Sequence, residues 1–133
     1  FGLVRGDDGL LRQALLNLAR NAAEAAAVGG AEVRVTLRGE MEGTSAVSAQ
    51  RIAVLDNGPG IAPADLLRIF LPFYTTKADG TGLGLAIVQK IAVQHGGTVA
   101  ARNLPEGGAE FVLVLPIQLT PTSQAVDSPV GSI

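Results

Sequence analysis

Apolar side chains recur every three or four positions in two long stretches of the chain, and this spacing lines one face of an α-helix. The first stretch, residues 7–28, begins at Asp7 or Asp8, either of which can cap a helix, and stops before a glycine pair. The second stretch, residues 81–95, also ends before a glycine pair. We expect the apolar face of the first helix to consist of Leu11, Leu15, Leu18, Ala22 and Ala25.

Shorter stretches rich in β-branched and other apolar residues predict strands. They cover residues 31–39, 50–56, 97–104 and 109–117. The polar residues 40–49 suit a hairpin loop between the first two strands, and the sequence PEGG suits a turn between the last two. A further helix is predicted at residues 63–70, because Pro63 falls in its first turn and Pro72 follows its end.

Together these elements predict a two-layer α/β sandwich, in which about three helices cover one face of a mixed sheet. With 133 residues, of which 47% are hydrophobic, the chain is large enough for one domain with its own core. We expect this domain to occupy residues 1–118. Residues 119–133 are rich in proline and serine and contain little to bury, so they predict a disordered tail.

Composition excludes several kinds of protein. The net charge of −2, without a basic cluster, argues against nucleic acid as a partner. The absence of cysteine excludes disulfides, thiolate catalysis and zinc-thiolate sites. The sequence has no apolar run of membrane-spanning length and no signal peptide, so we expect no membrane contact by this fragment. The absence of cysteine fits a location in the reducing cytoplasm. Because it begins with Phe1, we expect a piece of a longer protein.

Four polar residues form a narrow strip beside the apolar face of the first helix. They are Gln13, Asn17, Asn21 and Glu24, spaced by four, four and three. Amides gain little on a solvated helix surface, so the strip indicates a polar ligand or a buried hydrogen-bond network. Taken alone, a solvated flank of an amphipathic helix explains the strip more often.

The sequence VLDNGPGI places Asp56 at the end of a buried strand, followed by Gly58 and Gly60. A carboxylate framed by glycines at a strand end can accept a hydrogen bond from an exocyclic amine such as that of adenine. An ordinary turn is the more common explanation of such a sequence by itself.

Gly80, Gly82 and Gly84 lead directly into the second helix, a position where bare backbone favours an anion. The dinucleotide pattern G-x-G-x-x-G fails because residue 87 is Ile, and the P-loop pattern is absent. The glycines therefore fit a nucleotide loop and an ordinary turn equally well. Lys77 could pair with phosphate or extend into solvent. His95, at the end of the helix where a cation is favoured, is interpreted as structural.

Four motifs combine these features in a fixed order: NLARNAAEA, DNGPGI, IFLPFYTTK and GTGLGLAIVQKIAVQHGG. They resemble the asparagine box, first glycine box, phenylalanine box and second glycine box of the histidine kinase catalytic domain. That family shares its ATP-binding (Bergerat-type) fold with DNA gyrase, the heat-shock chaperones and the mismatch-repair ATPases. The resemblance covers about residues 7–117, and its TTK sequence is similar to the nitrogen-regulation type of sensor kinase.

The resemblance implies ATP and Mg²⁺ as cofactors and assigns roles to individual residues. Asn21 matches the Mg²⁺ ligand and, with Glu24, is the candidate catalytic residue. Asp56 matches the carboxylate that contacts the adenine amine, while Phe70 and Phe73 match the box that anchors a mobile lid. The implied nucleotide-binding residues are Asn17, Asn21, Asp56, Gly58, Gly60, Ile61, Phe73, Lys77, Gly80, Thr81, Gly82, Leu83 and Gly84.

The implied activity is that of an ATP-dependent protein-histidine kinase in two-component signalling. The gyrase branch has a glutamate base one turn before the metal asparagine, whereas this chain has Asn17, and an amide cannot take a proton from water. The only histidine is His95, so the phosphoacceptor would be supplied by an upstream dimerisation domain. A response regulator and a homodimeric full-length protein are also implied. The alternatives are a serine-directed kinase of the anti-sigma-factor type and a nucleotide-binding module without transferase activity.

Overall fold

The structure is a computed structural model that describes residues 6–28, 32, 34–43, 48–74 and 82–116. The elements in chain order are helix α1 (Asp8–Val28), strands β1 (Val35–Gly43) and β2 (Ser48–Asp56), a 3₁₀ turn (Pro63–Asp65), helix α2 (Gly84–Gln94), and strands β3 (Thr98–Asn103) and β4 (Ala109–Pro116). Neither α-helix of this described part is long and apolar enough to cross a membrane. The predicted tail, residues 119–133, lies outside the described residues.

The described strands form one sheet in the order β1-β2-β4-β3. The two-layer sandwich is confirmed, but the prediction of a mixed sheet is wrong for these strands, because all of their pairings are antiparallel. Strands β2 and β3 do run parallel, as expected of strands joined through a helix. They are not neighbours, because β4 returns from β3 through a tight turn and inserts between them.

Strand β1 continues to Gly43, beyond the residue 39 expected from the sequence. Its polar second half remains a strand because it pairs with β2 throughout, with Glu40 opposite Arg51. The side chains of this pair form an ion pair at 3.3 Å, and Gln50 donates to the Glu40 carbonyl at 3.1 Å. Such cross-strand contacts stabilise a sheet without requiring apolar residues.

The helix predicted at residues 63–70 is reduced to the 3₁₀ turn, followed by further turns. A short isolated helix depends on packing of an apolar face. Here Leu67 is 91% exposed, and of residues 63–70 only Phe70 is buried, with 9% exposure. Two long helices therefore cover the described sheet instead of about three.

The core lies between the two α-helices and one face of the sheet. On α1 the buried side chains follow a strict spacing of four residues: Ala14, Leu18, Ala22 and Ala26. This face is rotated from the predicted one, since Leu11 and Leu15 pack only at its margin and Ala25 is half-buried. Alanines let α1 approach its neighbours closely. The other main core residues are Ile52, Val54, Val88, Ile91, Phe111 and Leu113.

The predicted cap of α1 is confirmed, because the Asp7 Oδ1 accepts the Leu10 N–H at 3.0 Å. His95 is structural, as expected, although its role differs from that of a cation at a helix end. Its Nε2 accepts the Asp7 N–H at 3.0 Å, while its Nδ1 lies 2.8 Å from the Ile91 carbonyl. A neutral imidazole with the proton on Nδ1 satisfies both contacts. The ring thus links the end of α2 to the start of α1.

Candidate functional site

Asp56 is the last residue of β2, and its side chain is buried, with 4% exposure. The Oδ1 accepts the Gly58 N–H at 2.9 Å and the Ala109 N–H at 3.4 Å. The Oδ2 is also buried but has no hydrogen-bond partner among the described residues. Leaving a buried carboxylate oxygen without a donor costs free energy. A ligand that supplies a donor at this point would remove that cost.

The turn that follows β2 lies directly against α1. A Cβ on Gly58 would lie 2.5 Å from the Ala25 carbonyl oxygen, so only glycine allows this approach. Asn57 holds the other side of the turn, since its Oδ1 accepts the Arg34 N–H at 3.0 Å and its Nδ2 donates to the Glu32 carbonyl at 2.7 Å. The end of β2 is therefore enclosed between α1 and the chain that precedes β1.

Helix α1 connects this turn to the start of α2. The Asn17 Nδ2 donates to the Gly84 carbonyl at 3.2 Å, while Ala25 contacts Gly58. Asn21 lies midway between these two contacts, four residues from each, which is about 6 Å along the helix in either direction. Asn17, Asn21, Gly58 and Gly84 are therefore brought together along one side of α1.

The polar strip of α1 divides into two kinds of residue. Asn17 and Asn21 are half-buried, whereas Gln13 and Glu24 are exposed. Half-burial distinguishes the two amides from a solvated flank, which was the alternative interpretation of the strip. Asn21 carries a hard amide oxygen, the kind of ligand that Mg²⁺ accepts.

The second helix begins at Gly84, later than the residue 81 expected from the sequence. Gly82 has a φ of +73°, which lies outside the right-handed helical region, so α2 cannot include this residue. Among the described residues, no side chain caps the start of α2. Apart from the adjacent residues and the backbone of α2 itself, no atom of the described chain lies within 4 Å of the position that a Cβ on Gly84 would take. Leu83, between the two glycines, is half-buried. Three predicted site residues lie outside the described residues: Lys77, Gly80 and Thr81.

The two phenylalanines of the phenylalanine box have different positions. Phe70 is buried and packs edge-to-face on Phe111, with ring centroids 6.1 Å apart and planes at 75°. Phe73 is 74% exposed and has a φ of 67°. Its N–H donates to the Gly82 carbonyl at 2.9 Å. Phe70 thus fixes this segment to the core, and the backbone of Phe73 joins it to the residues before α2.

Tyr74 adds a polar contact that sequence reasoning missed. Its hydroxyl donates to the Asp65 Oδ1. This hydrogen bond, together with partial desolvation and the charge of Asp65, raises the pKa of Tyr74 above its ordinary value, while Arg68 acts in the opposite direction. The contact connects the 3₁₀ turn to the residue that follows Phe73.

A second missed contact joins Asn103, at the end of β3, to Ile61. The Asn103 Oδ1 accepts the Ile61 N–H at 2.7 Å, and its Nδ2 donates to the Ile61 carbonyl at 2.7 Å. The Ile61 side chain packs at the margin of the core. Nothing in the sequence pairs two residues 42 positions apart.

The sequence of residues 6–119 matches the family model described as histidine kinase-, DNA gyrase B-, and HSP90-like ATPase. The chain belongs to this family. Among curated proteins it is 45% identical over 114 residues to the sensor histidine kinase ZraS of Salmonella typhi, covering 86% of this chain and 23% of ZraS. It is 38% identical over 115 residues to the nitrogen regulation protein NtrY of Azorhizobium caulinodans, covering 82% of this chain and 14% of NtrY.

Solved structures of histidine kinases have the same fold. The mycobacterial sensor histidine kinase MprB superposes with a TM-score of 0.74 at 31% identity, covering 85% of this chain and 74% of that one. Full-length ShkA in complex with AMPPNP superposes with a TM-score of 0.68 at 33% identity, covering 90% of this chain and 24% of that one. This family's domain is the ATP-binding catalytic part of histidine kinases. The chain spans less than a quarter of the curated relatives named above.

Proposed function

We propose that this domain binds Mg·ATP and transfers the γ-phosphoryl group to a histidine on a separate phosphoacceptor domain. The observation that carries the proposal is the buried Oδ2 of Asp56, which has no hydrogen-bond partner within the described part of the chain. The exocyclic amine of adenine is a donor of the right kind for it. ShkA, a relative in fold and sequence, has been solved with the adenine nucleotide analogue AMPPNP, which supports the same ligand here.

The nucleotide would lie along α1, with adenine at Asp56 and the phosphates near the start of α2. The start of an α-helix favours an anion through the positive end of the helix dipole, and no side chain of the described residues caps the start of α2. Asn21 lies between these two ends and would hold Mg²⁺ with its amide oxygen. When bound, Mg²⁺ supplies neutralisation of the phosphate charge. Gly58, Gly60 and Ile61 form the adenine side of the site, and Gly82 and Leu83 precede its phosphate side.

The chain's own groups favour phosphoryl transfer to a partner over hydrolysis. Asn17 stands one turn before Asn21, where a water-activating carboxylate would be needed, and its amide is bound to Gly84. His95 makes contacts with Asp7 and Ile91 at the far end of α2, about 16 Å from Gly84 along the helix. Neither residue can replace an external histidine. Glu24, on the exposed side of α1, is the candidate for polarising the incoming imidazole.

The partners follow from the proposed transfer. The acceptor histidine belongs to a dimerisation domain of the same protein, and a response regulator receives the phosphoryl group from it. The full-length protein acts as a homodimer, with this domain in the cytoplasm. The relatives' description as sensor histidine kinases supports these assignments.

The test combines the domain, [γ-³²P]ATP and the phosphoacceptor domain of the same protein. Label should appear on the added domain alone, and Asn21→Ala should abolish it. Gln13→Ala is the matched control, because Gln13 is an exposed amide on the same helix; it should leave the labelling unchanged. Label on the ATP-binding domain itself, or full labelling by Asn21→Ala, would contradict the proposal.

A further inference from the structure

The contact between Asn103 and Ile61 has the form of a backbone pairing made by a side chain. One amide group both accepts from the Ile61 N–H and donates to the Ile61 carbonyl, each at 2.7 Å. A single hydrogen bond would leave the peptide free to rotate about it, whereas this pair fixes the position of Ile61 in both directions along the chain. Asn103 therefore anchors the end of the turn that starts at Asp56.

The other end of the same turn is anchored to β4, the strand that pairs with β3. Asp56 accepts from the Ala109 N–H, and Ala109 is the cross-strand partner of Asn103 in the β3–β4 pairing. The side chain of Asp56 and that of Asn103 bind the N–H groups of Gly58 and Ile61. Side-chain hydrogen bonds thus attach both ends of the turn to the β3–β4 pair.

Gly60 shows that the turn is shaped to receive Asn103. It has a φ of +84°, and a Cβ at this position would lie 2.9 Å from the Asn103 Oδ1. Any larger residue would be strained in this conformation and would press on the asparagine oxygen. The glycine therefore permits the close approach that the two hydrogen bonds require.

We propose that Asn103 is a positioning residue for adenine recognition, which rests on the proposed function of the site. By fixing Ile61, it holds in place the turn that begins at Asp56 and contains Gly58 and Gly60. It acts through Asp56 and the turn, and does not itself touch the nucleotide. Without it, binding of adenine must also order the turn, and ordering backbone opposes binding.

The side chain of Asn103 is exposed, so Asn103→Ala should fold. We expect its Kd for Mg·ATP to rise roughly tenfold, equivalent to about 1.4 kcal/mol. Because the loss falls on the adenine end, the preference for ATP over GTP should shrink as well. Asn103→Gln carries the same donor and acceptor, and exposure leaves room for its longer stem, so it should recover part of both losses.

Gln50→Ala provides the matched control for a change in stability alone. Gln50 is a buried amide that donates to the Glu40 and Arg51 carbonyls, and it lies near the opposite end of β2 from Asp56. This variant should lower the Tm but keep the wild-type ratio of the ATP and GTP affinities. Calorimetric titration of the full chain gives the affinities, and hydrogen exchange measured by NMR gives the protection of the Ile61 amide.

The outcomes separate this inference from the proposed function. Loss of Ile61 protection together with weaker and less selective ATP binding in Asn103→Ala supports the positioning role. Wild-type affinity and selectivity in Asn103→Ala, a Gln variant no better than the Ala variant, or an equal loss of selectivity in Gln50→Ala overturns it while the ATP site stands. A wild-type chain that fails to bind ATP overturns the proposed function and this inference together.

Discussion

Replacing Asp56 by asparagine changes one atom at the centre of the proposed adenine site. The asparagine oxygen can keep the hydrogen bonds from the Gly58 and Ala109 N–H groups. Its NH₂ group then occupies the place of the Oδ2, the oxygen without a partner among the described residues. Where a carboxylate accepted from the adenine amine, one donor would now face another. The fold should survive, and nucleotide recognition should not.

The size of the effect follows from the kind of bond that is lost. A hydrogen bond to a charged acceptor contributes about 1.5–3 kcal/mol, so the Kd for ATP should rise about 10- to 150-fold. In the absence of nucleotide, the same substitution should not weaken the protein. Asp56 buries a charged oxygen that has no donor among the described residues, and a neutral amide is cheaper to bury. The nucleotide-free variant should therefore be as stable as the wild type or more stable.

Calorimetric titration with Mg·ATP and Mg·GTP, together with thermal unfolding of the nucleotide-free proteins, tests both directions. Guanine carries a carbonyl oxygen where adenine carries its amine, so the preference for ATP over GTP should narrow in Asp56→Asn. Asp65→Asn is the control, since it removes the same charge at the contact with Tyr74. Equal ATP affinities for wild type and Asp56→Asn, or the same loss in both variants, would refute the adenine role.

Two further predictions concern the segment between the 3₁₀ turn and α2. Phe70→Ala should destabilise the domain by about 3 kcal/mol, because Phe70 is buried against Phe111. Phe73→Ala, at a 74% exposed position, should cost less than about 0.5 kcal/mol. Similar losses of unfolding free energy for the two variants in urea would contradict the assignment of Phe70 as the anchor. Tyr74, the only tyrosine in the chain, should ionise above its ordinary pKa of 10.0 in an absorbance titration, and Asp65→Asn should lower that value. The stability supplied by the contact should be complete below pH 10.0 and be lost as the pH rises through the raised pKa of the folded protein, so Tyr74→Phe should show a flatter pH dependence there.

Periodicity predicted the elements whose stability comes from burial. The spacing of apolar residues located α1 and α2, and the β-branched stretches located all the described strands. It failed where polar contacts or packing decide the outcome. The polar second half of β1 is held by its continuous pairing with β2, which hydrophobicity cannot indicate. Leu67 fits a helical pattern but is 91% exposed, so its burial does not stabilise a helix and the segment around it stays a series of turns.

The sequence identified candidate residues for the site but not the contacts among them. Asp56 and the glycines after it stand together in the sequence, so one strand end identifies them. The contact of Asn103 with Ile61 depends on β4 folding back from β3 beside β2. That arrangement emerges only from the complete sheet, and no local spacing encodes it. The contact of His95 with Asp7 is likewise not encoded by local spacing, because the two residues are 88 positions apart.

The two asparagines of α1, Asn17 and Asn21, differ in their contacts. Asn17 donates its amide N–H to the Gly84 carbonyl, and this contact helps to set the position of α2 relative to α1. Asn21, one turn later, lies between that contact and the contact of Ala25 with Gly58. Helix α1 therefore sets the separation between the turn after β2 and the start of α2, about 12 Å along the axis of α1. In the proposed complex this rigid spacing would hold the base and the phosphates of one nucleotide in register, since transfer of a phosphoryl group depends chiefly on positioning and charge neutralisation.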